Sequence, residues 1–427
     1  LEVSRYDLQF SLQHFFTENI ELLTNIYYWN ARRDWNRQDF KRNIDFAPPP
    51  DNTAATLGDT GIDGGAIFLQ SSFGARDRDF QGTGIEPRLI IDYQAFGKKH
   101  HLHTGLRFHF EEMIDERNNR ATLISDPVTR NRDIRKAYAF AFFFQNTLRV
   151  TDRLSVIPGF RLEQYTQTRR ITREANMDVD IGNSSSNTVP IPGLGITFQA
   201  PAQTTLFTGI HRGFAPARTA QAISSDGEDL DLKPEFSWNF EAGVRTNPVP
   251  WWSSETTFFL LDFTNQVVPA NESGGASTAD TNAGKTRHLG VEFASALDIL
   301  GMAGLEGSHL LYLDTRYTFV DTKNTTPGGI FEGKDLPYAP RHMAMVGMRY
   351  SGKAGPPKGL DIGIEGLFTS SQFADQANTV LPSNDGTIGE IPSYWLLNAY
   401  ARYKVPKTRL EVNVVANNLL NNTYVVS

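Results

Sequence analysis

One stretch limits the fold more than any other. In Phe236–Arg245, Phe236, Trp238, Phe240, Ala242 and Val244 alternate with Ser237, Asn239, Glu241, Gly243 and Arg245. Successive side chains of a strand point to opposite faces, so one face of this segment is apolar and the other polar. A short turn, Asn247 to Trp252, leads to a second strand from Thr256 to Val268. Its apolar face is expected to carry Thr257, Phe259, Leu261 and Phe263, with Asp262 and Thr264 on the other. A polar segment, Asn271 to Gly284, precedes a third strand, Leu289 to Leu297. Such a chain needs an antiparallel sheet that is greasy on one side and wet on the other.

The pattern runs the length of the sequence. Val3–Phe16 and Ile20–Trp35 flank the turn Thr17-Glu18-Asn19. Leu102, Thr104, Leu106, Phe108 and Phe110 oppose His101, His103, Arg107, His109 and Glu111. Phe140, Phe142 and Phe160 fall on apolar faces, Arg161 and Glu163 on polar ones. In the last pair, Leu410, Val412 and Val414 oppose Glu411 and Asn413. About sixteen strands are expected, in pairs with short turns inside each pair and long polar loops between pairs, as at Asn36–Arg78 and Asn119–Ile134. Short turns at one end and long loops at the other fit a transmembrane antiparallel β-barrel. A sandwich mixes loop lengths at both ends.

Composition agrees. Hydrophobic residues make up 40%, and no apolar run approaches the roughly 18 residues of a membrane helix. Barrel strands need only alternate apolar positions, and 29 Phe suit a lipid-facing surface. The absence of Cys excludes disulfides and thiolate metal sites, and a net charge of −7 argues against a nucleic-acid binder. The chain opens inside a strand with no signal peptide in view, and is read as a mature or truncated piece. A soluble β-rich carbohydrate-binding or hydrolytic protein is the alternative outside membranes.

Several segments resemble the barrel of TonB-dependent outer-membrane receptors. They are Gly213-Phe214-Ala215-Pro216, Leu232-Lys233-Pro234-Glu235, Phe240–Arg245, Asn282–Glu292, Leu336–His342 and Asn417–Tyr424, in family order. Ser370–Val380, continuing through Gly386 to Ile391-Pro392, is similar to the branch that takes up ferric dicitrate. The resemblance implies one domain over residues 1–427. It would be an incomplete part, about strands six to twenty-one, of a 22-stranded barrel. The N-terminal plug with its TonB-contact motif, the early strands and the last strand have no counterpart here. It further implies a monomer in the bacterial outer membrane, in contact with lipid and lipopolysaccharide. The complete receptor would import a ferric chelate, energised through TonB, with iron as cargo and no resident cofactor. Another siderophore, a cobalamin-like cargo and a passive porin stay open.

No catalytic site is expected: Walker, Gly-x-Ser-x-Gly and His-Glu-x-x-His motifs are absent. No metal site is expected either. His100, His101, His103 and His109 are read as polar lumen wall near a turn, and His288 as structural. Arginine carries more information, because its planar fork binds carboxylates through two parallel hydrogen bonds. Loop-proximal candidates include Arg117, Arg135, Arg169, Arg212 and Arg218. The resemblance singles out Arg88 in Ile85-Glu86-Pro87-Arg88, Arg132 in Asn131–Ala137, Asn271 as a ligand amide, and either Arg76 or Arg78. Arg88, Arg132 and Asn271 are expected in the outer half of the lumen.

Overall fold

The computed structural model describes residues 2–43, 53–62, 64–122, 124–229, 233–268, 281–282, 284–305, 307–353, 357–383 and 388–425. The first strands are β1 (Glu2–Thr17), β2 (Ile20–Arg42), β3 (Thr53–Gly58), β4 (Ala66–Ala95), β5 (Lys98–Arg120), β6 (Val128–Arg149), β7 (Leu154–Glu174) and β8 (Met177–Ala200). Next come β9 (Thr204–Ala215), helix α1 (Thr219–Ala222), β10 (Glu235–Val249), β11 (Trp252–Thr264), β12 (Val267–Val268) and β13 (Thr281–Asn282). The chain continues with β14 (Lys285–Asp298), helix α2 (Ile299–Met302), β15 (His309–Asn324), β16 (His342–Gly352) and β17 (Leu360–Thr369). It ends with β18 (Gln372–Phe373), β19 (Glu390–Ile391), β20 (Tyr394–Lys404) and β21 (Glu411–Ala416).

Seventeen strands form one antiparallel sheet. Sixteen run side by side from β1 through β2, β4–β11, β14–β17 and β20 to β21, and β3 pairs with the outer end of β4. The expected count of sixteen is therefore met. Among the described residues no pairing joins β1 to β21, so the run of sixteen strands has two free edges, as expected.

Residues paired across strands share a face. Phe236, Trp238 and Phe240 pair with Phe214, Arg212 and Ile210, on the outward face. Phe240 sits in an apolar patch with Leu194, Ile196, Phe258, Leu260 and Leu289. Phe140 pairs with Phe108, and Phe142 and Phe160 follow on the same outward side. Val412 and Val414 are exposed there too. The opposite face carries Ser237, Glu241, Arg161, Glu163, Glu411 and Asn413.

Two expectations are corrected. Leu260 pairs with Phe240 and Phe258 with Ala242, so Phe258, Leu260, Asp262 and Thr264 of β11 point outward. Phe259, Leu261 and Phe263 point inward. The run Phe258-Phe259-Leu260-Leu261 is apolar on both faces, and Asp262 and Thr264 lie at the loop end of the strand, so polarity there does not report the lumen. Second, most of Asn36–Arg78 is strand. β2 is 23 residues long and β4 is 30. A barrel strand needs only about 9–11 residues to cross a bilayer, so the surplus forms a wall beyond the lipid. There both faces meet water and the period-two signal fades. Likewise β7 and β8 run 21 and 24 residues and join through Ala175 and Asn176, whose φ values of 48° and 71° suit a two-residue hairpin turn.

The inner face packs rings over glycines of the next strand. The atoms nearest to a Cβ at Gly82 all belong to the Trp29 indole, from 2.5 Å. At Gly363 the nearest atoms all belong to the Tyr400 ring, from 2.5 Å. At Gly105 a Cβ would meet the Pro87 carbonyl at 2.6 Å and the Phe143 ring at 2.7 Å. The bare backbone gives each ring a flat seat and shields the ladder behind it.

Gly82→Ala is expected to lower stability by about 1–3 kcal/mol through overpacking, with part recovered when Trp29→Ala is added. Detergent unfolding curves of the two variants check this; equal loss in both sinks the ring-seat account. Phe240→Arg is expected to cost about 2–4 kcal/mol if the residue lies at mid-bilayer, measured by unfolding into denaturant from lipid vesicles.

Candidate functional site: an arginine-lined outer chamber

Beyond the apolar band, the long strands enclose a cavity of about 730 Å³. The inward faces of β4 to β7 form one side, and the segment Pro216–Gln221 around α1 forms the other. That segment is tied down from the wall. Gln167 Nε2 donates to the Ala217 carbonyl at 3.1 Å and Arg169 Nη1 to the Ile223 carbonyl at 2.6 Å. Ala217, Ala222 and Ile223 bury together beneath it.

Register places the charges. Arg78 pairs with Asp115 and Arg76 with Arg117 across β4 and β5. Asp115 then pairs with Asp133, and Asp133 lies two residues from Arg135, which pairs with Arg169. All seven side chains therefore share the inward face. Asp115, 4% exposed, receives both Nε and Nη2 of Arg76 at 2.8 and 2.5 Å. Arg78 Nε stands 3.5 Å and Arg135 Nη2 3.9 Å from the same carboxylate. Asp133 Oδ2 accepts from Arg135 Nη2 at 2.6 Å and Arg169 Nε at 2.9 Å. Arg117 has no carboxylate in ion-pair range among the described residues. Two aspartates thus engage four guanidinium groups, with that of Arg117 beside them, and all five stay charged at any physiological pH.

The sequence-predicted residues separate here. Arg76 and Arg78 both belong to the cluster, so no choice between them is needed. Arg88 faces inward but stands 22 residues past Ala66 and seven before Ala95, the turn end of β4. It lies in the inner half of the lumen, not the outer half, and pairs with Glu86. Arg132 points to the opposite face of the sheet, where its Nε lies 2.9 Å from Glu116 Oε1. Asn271 lies outside the described residues. Arg212 also faces outward, its guanidinium carbon 4.1 Å from the Phe236 ring centre.

Arg117, Arg135 and Arg169 were visible only as members of a long list of arginines. The missed signal was parity: Asp133 and Arg135 are two apart and share a face, which excludes Arg132 from it. The histidines do not converge. His109 Nδ1 meets the Tyr27 hydroxyl at 2.8 Å, His101 Nδ1 meets Asp92 at 2.9 Å, and His288 packs against Phe263. Among the described residues no group of three or more His, Asp or Glu could hold a metal. The arrangement has donors for a polyanion and no nucleophile–base pair.

Known proteins share this architecture. The family model described as "TonB dependent receptor-like, beta-barrel" matches residues 2–419. The metal-pseudopaline receptor CntO of Pseudomonas aeruginosa is 22% identical over 377 residues, 83% of this chain and 49% of that protein. The ferrichrome outer membrane transporter/phage receptor of Escherichia coli is 26% identical over 224 residues, 51% of this chain and 27% of that protein. The unliganded ferric citrate transporter FecA superposes with a TM-score of 0.77 at 21% identity, covering 99% of this chain and 57% of that one. The chain thus spans about half the length, or less, of the curated relatives it matches. On the family match and the open antiparallel sheet together, the chain belongs to the TonB-dependent receptors of the bacterial outer membrane, as part of their β-barrel.

Proposed function

We propose that this chain is the larger part of a receptor barrel that imports an anionic ferric chelate, most simply ferric dicitrate, in a TonB-driven cycle. The family consists of receptors and transporters, not enzymes. The carrying observation is the inward cluster of Arg76, Arg78, Arg117, Arg135 and Arg169 against Asp115 and Asp133. Counting Lys136, Arg218, Glu111 and Glu112, which also line the chamber, seven cations stand against four anions and leave an excess positive charge in one cavity. A carboxylate-rich complex supplies the missing anions and accepts paired hydrogen bonds from planar guanidinium groups. Strands that close the sheet, a plug and its TonB contact belong, in this reading, to the rest of the receptor. Iron travels as cargo.

The relatives carry names for metal-pseudopaline, ferrichrome and ferric citrate, so the family alone does not choose among cargoes. The charge excess favours a polycarboxylate over an uncharged chelate. It also supports directed capture over a passive pore, since a pore gains nothing from holding its solute tightly.

In the complete receptor at fixed salt, Arg78→Ala and Arg135→Ala are each expected to weaken ferric dicitrate binding about tenfold. That equals the loss of one charge-assisted contact at about 1.4 kcal/mol per decade. Lysine at either position restores only part, because it keeps charge and loses the fork. Arg132→Ala, on the far face of the sheet, leaves affinity unchanged. Equilibrium dialysis with labelled iron reads all of these. Full affinity in both Arg78→Ala and Arg135→Ala removes the polycarboxylate assignment.

A further inference from the structure

A second cleft, of about 780 Å³, opens above the arginine chamber where β2, β4, β5 and β6 project furthest. The two share Arg76 and Arg117, which form the partition between them. Its remaining charges are Arg37, Lys41, Arg130, Asp39 and Glu174. Asp39 is engaged by the Ser72 hydroxyl at 2.7 Å. Arg37, Lys41, Arg117 and Arg130 are exposed and have no carboxylate in ion-pair range among the described residues.

Two local features shape the cleft for a ligand. Arg37 pairs with Gly74, which pairs with Asn119, so the strand between them presents no side chain and leaves an open floor. The Arg37 guanidinium lies 5.2 Å from the Trp35 ring centre and 5.8 Å from that of Phe40. Contacts with two rings hold its plane while leaving its N–H edge free for an anion. Arg130 is the extra residue where pairing jumps from Arg117–Asn131 to Asn118–Thr129. A bulge re-aims the side chain it carries, here toward the cleft.

We infer that this cleft is a second anion-binding site, a vestibule that takes the same class of polyanionic metal chelate before it reaches the inner chamber. The inference rests on the cargo class proposed above and adds a separate site with its own residues. Four cations facing water collect an anion from solution and are screened by salt, whereas the inner arginines, fixed by buried Asp115 and Asp133, hold it. Arg117, facing both spaces without a carboxylate of its own, is the residue the cargo exchanges across.

The test counts sites in the complete receptor by equilibrium dialysis with labelled ferric dicitrate at low and raised salt. Two classes of site are expected, the weaker lost at raised salt. Arg37→Ala combined with Arg130→Ala removes the weaker class and leaves the stronger within about twofold. Gly74→Leu does the same while keeping every charge, because a Cβ there meets only Asp39 Oδ1, at 3.2 Å, and the rest of the side chain fills the floor. Arg135→Ala removes the stronger class alone. A single class, lost in Arg135→Ala and untouched by Gly74→Leu, overturns the vestibule and leaves the inner site standing. A single class lost in Gly74→Leu and untouched by Arg135→Ala keeps the vestibule and overturns the inner assignment. No binding at all overturns both.

Discussion

Everything in this molecule hangs on one requirement: inside a bilayer every backbone N–H and C=O must find a partner within the protein. The continuous ladder from β1 to β21 meets it at every internal strand. Among the described residues, β1 and β21 are the two of the sixteen side-by-side strands that lack a neighbour on one side. An unpaired polar group in hydrocarbon costs several kcal/mol, and β1 alone is 16 residues long. In lipid the backbone groups of these edges must therefore be paired. The same ladder fixes which side chains look outward, because pairing leaves a strand no freedom to rotate about its axis.

Within the lipid zone the sequence was transparent for that reason. Phe240, Phe142 and Val412 needed no more than alternation to be placed on the outward face. Where lipid stops, alternation stops reporting. The wall carried by β2 and β4 read as a loop because Asn, Ser, Arg and Asp are acceptable on both faces in water. In β11 the reading inverted because Phe258 to Leu261 are apolar on both sides, and rings such as Phe259 sit inward over glycine. Motif likeness pointed to Asn131–Ala137 and within it to Arg132, whose neighbour in pairing is Glu116, whereas Asp133 and Arg135 of the same segment face the chamber. That Asp133 and Arg135 share a face, and Arg132 the other, follows from parity alone; which of the two faces looks into the chamber required the cross-strand register, which no single strand contains.

The chamber also shows how like charges can be kept close without collapse of the wall. Asp115 and Asp133 lie opposite one another on neighbouring strands, an arrangement that is unfavourable in isolation. Each becomes tolerable because guanidinium groups surround it, and the guanidinium groups tolerate each other because the aspartates lie between them. Removing either aspartate would leave several arginines facing one another. Removing one arginine loosens the set without inverting its sign. The cluster is thus rigid in its anions and adjustable in its cations.

The two-residue turn between β7 and β8 has a consequence for how such a wall changes length. Ala175 and Asn176 complete the hairpin, and apart from one irregularity between Ile171 and Arg173 the residues of both strands alternate between the two faces. Excising one residue from each strand shifts the turn sequence onto reversed faces. Excising two from each lowers the rim by about 7 Å while the remaining side chains keep their aspect. Viable length variants of this rim should therefore differ by even numbers per strand. The height of the mouth is a quantised trait, tuned in steps of a full pleat.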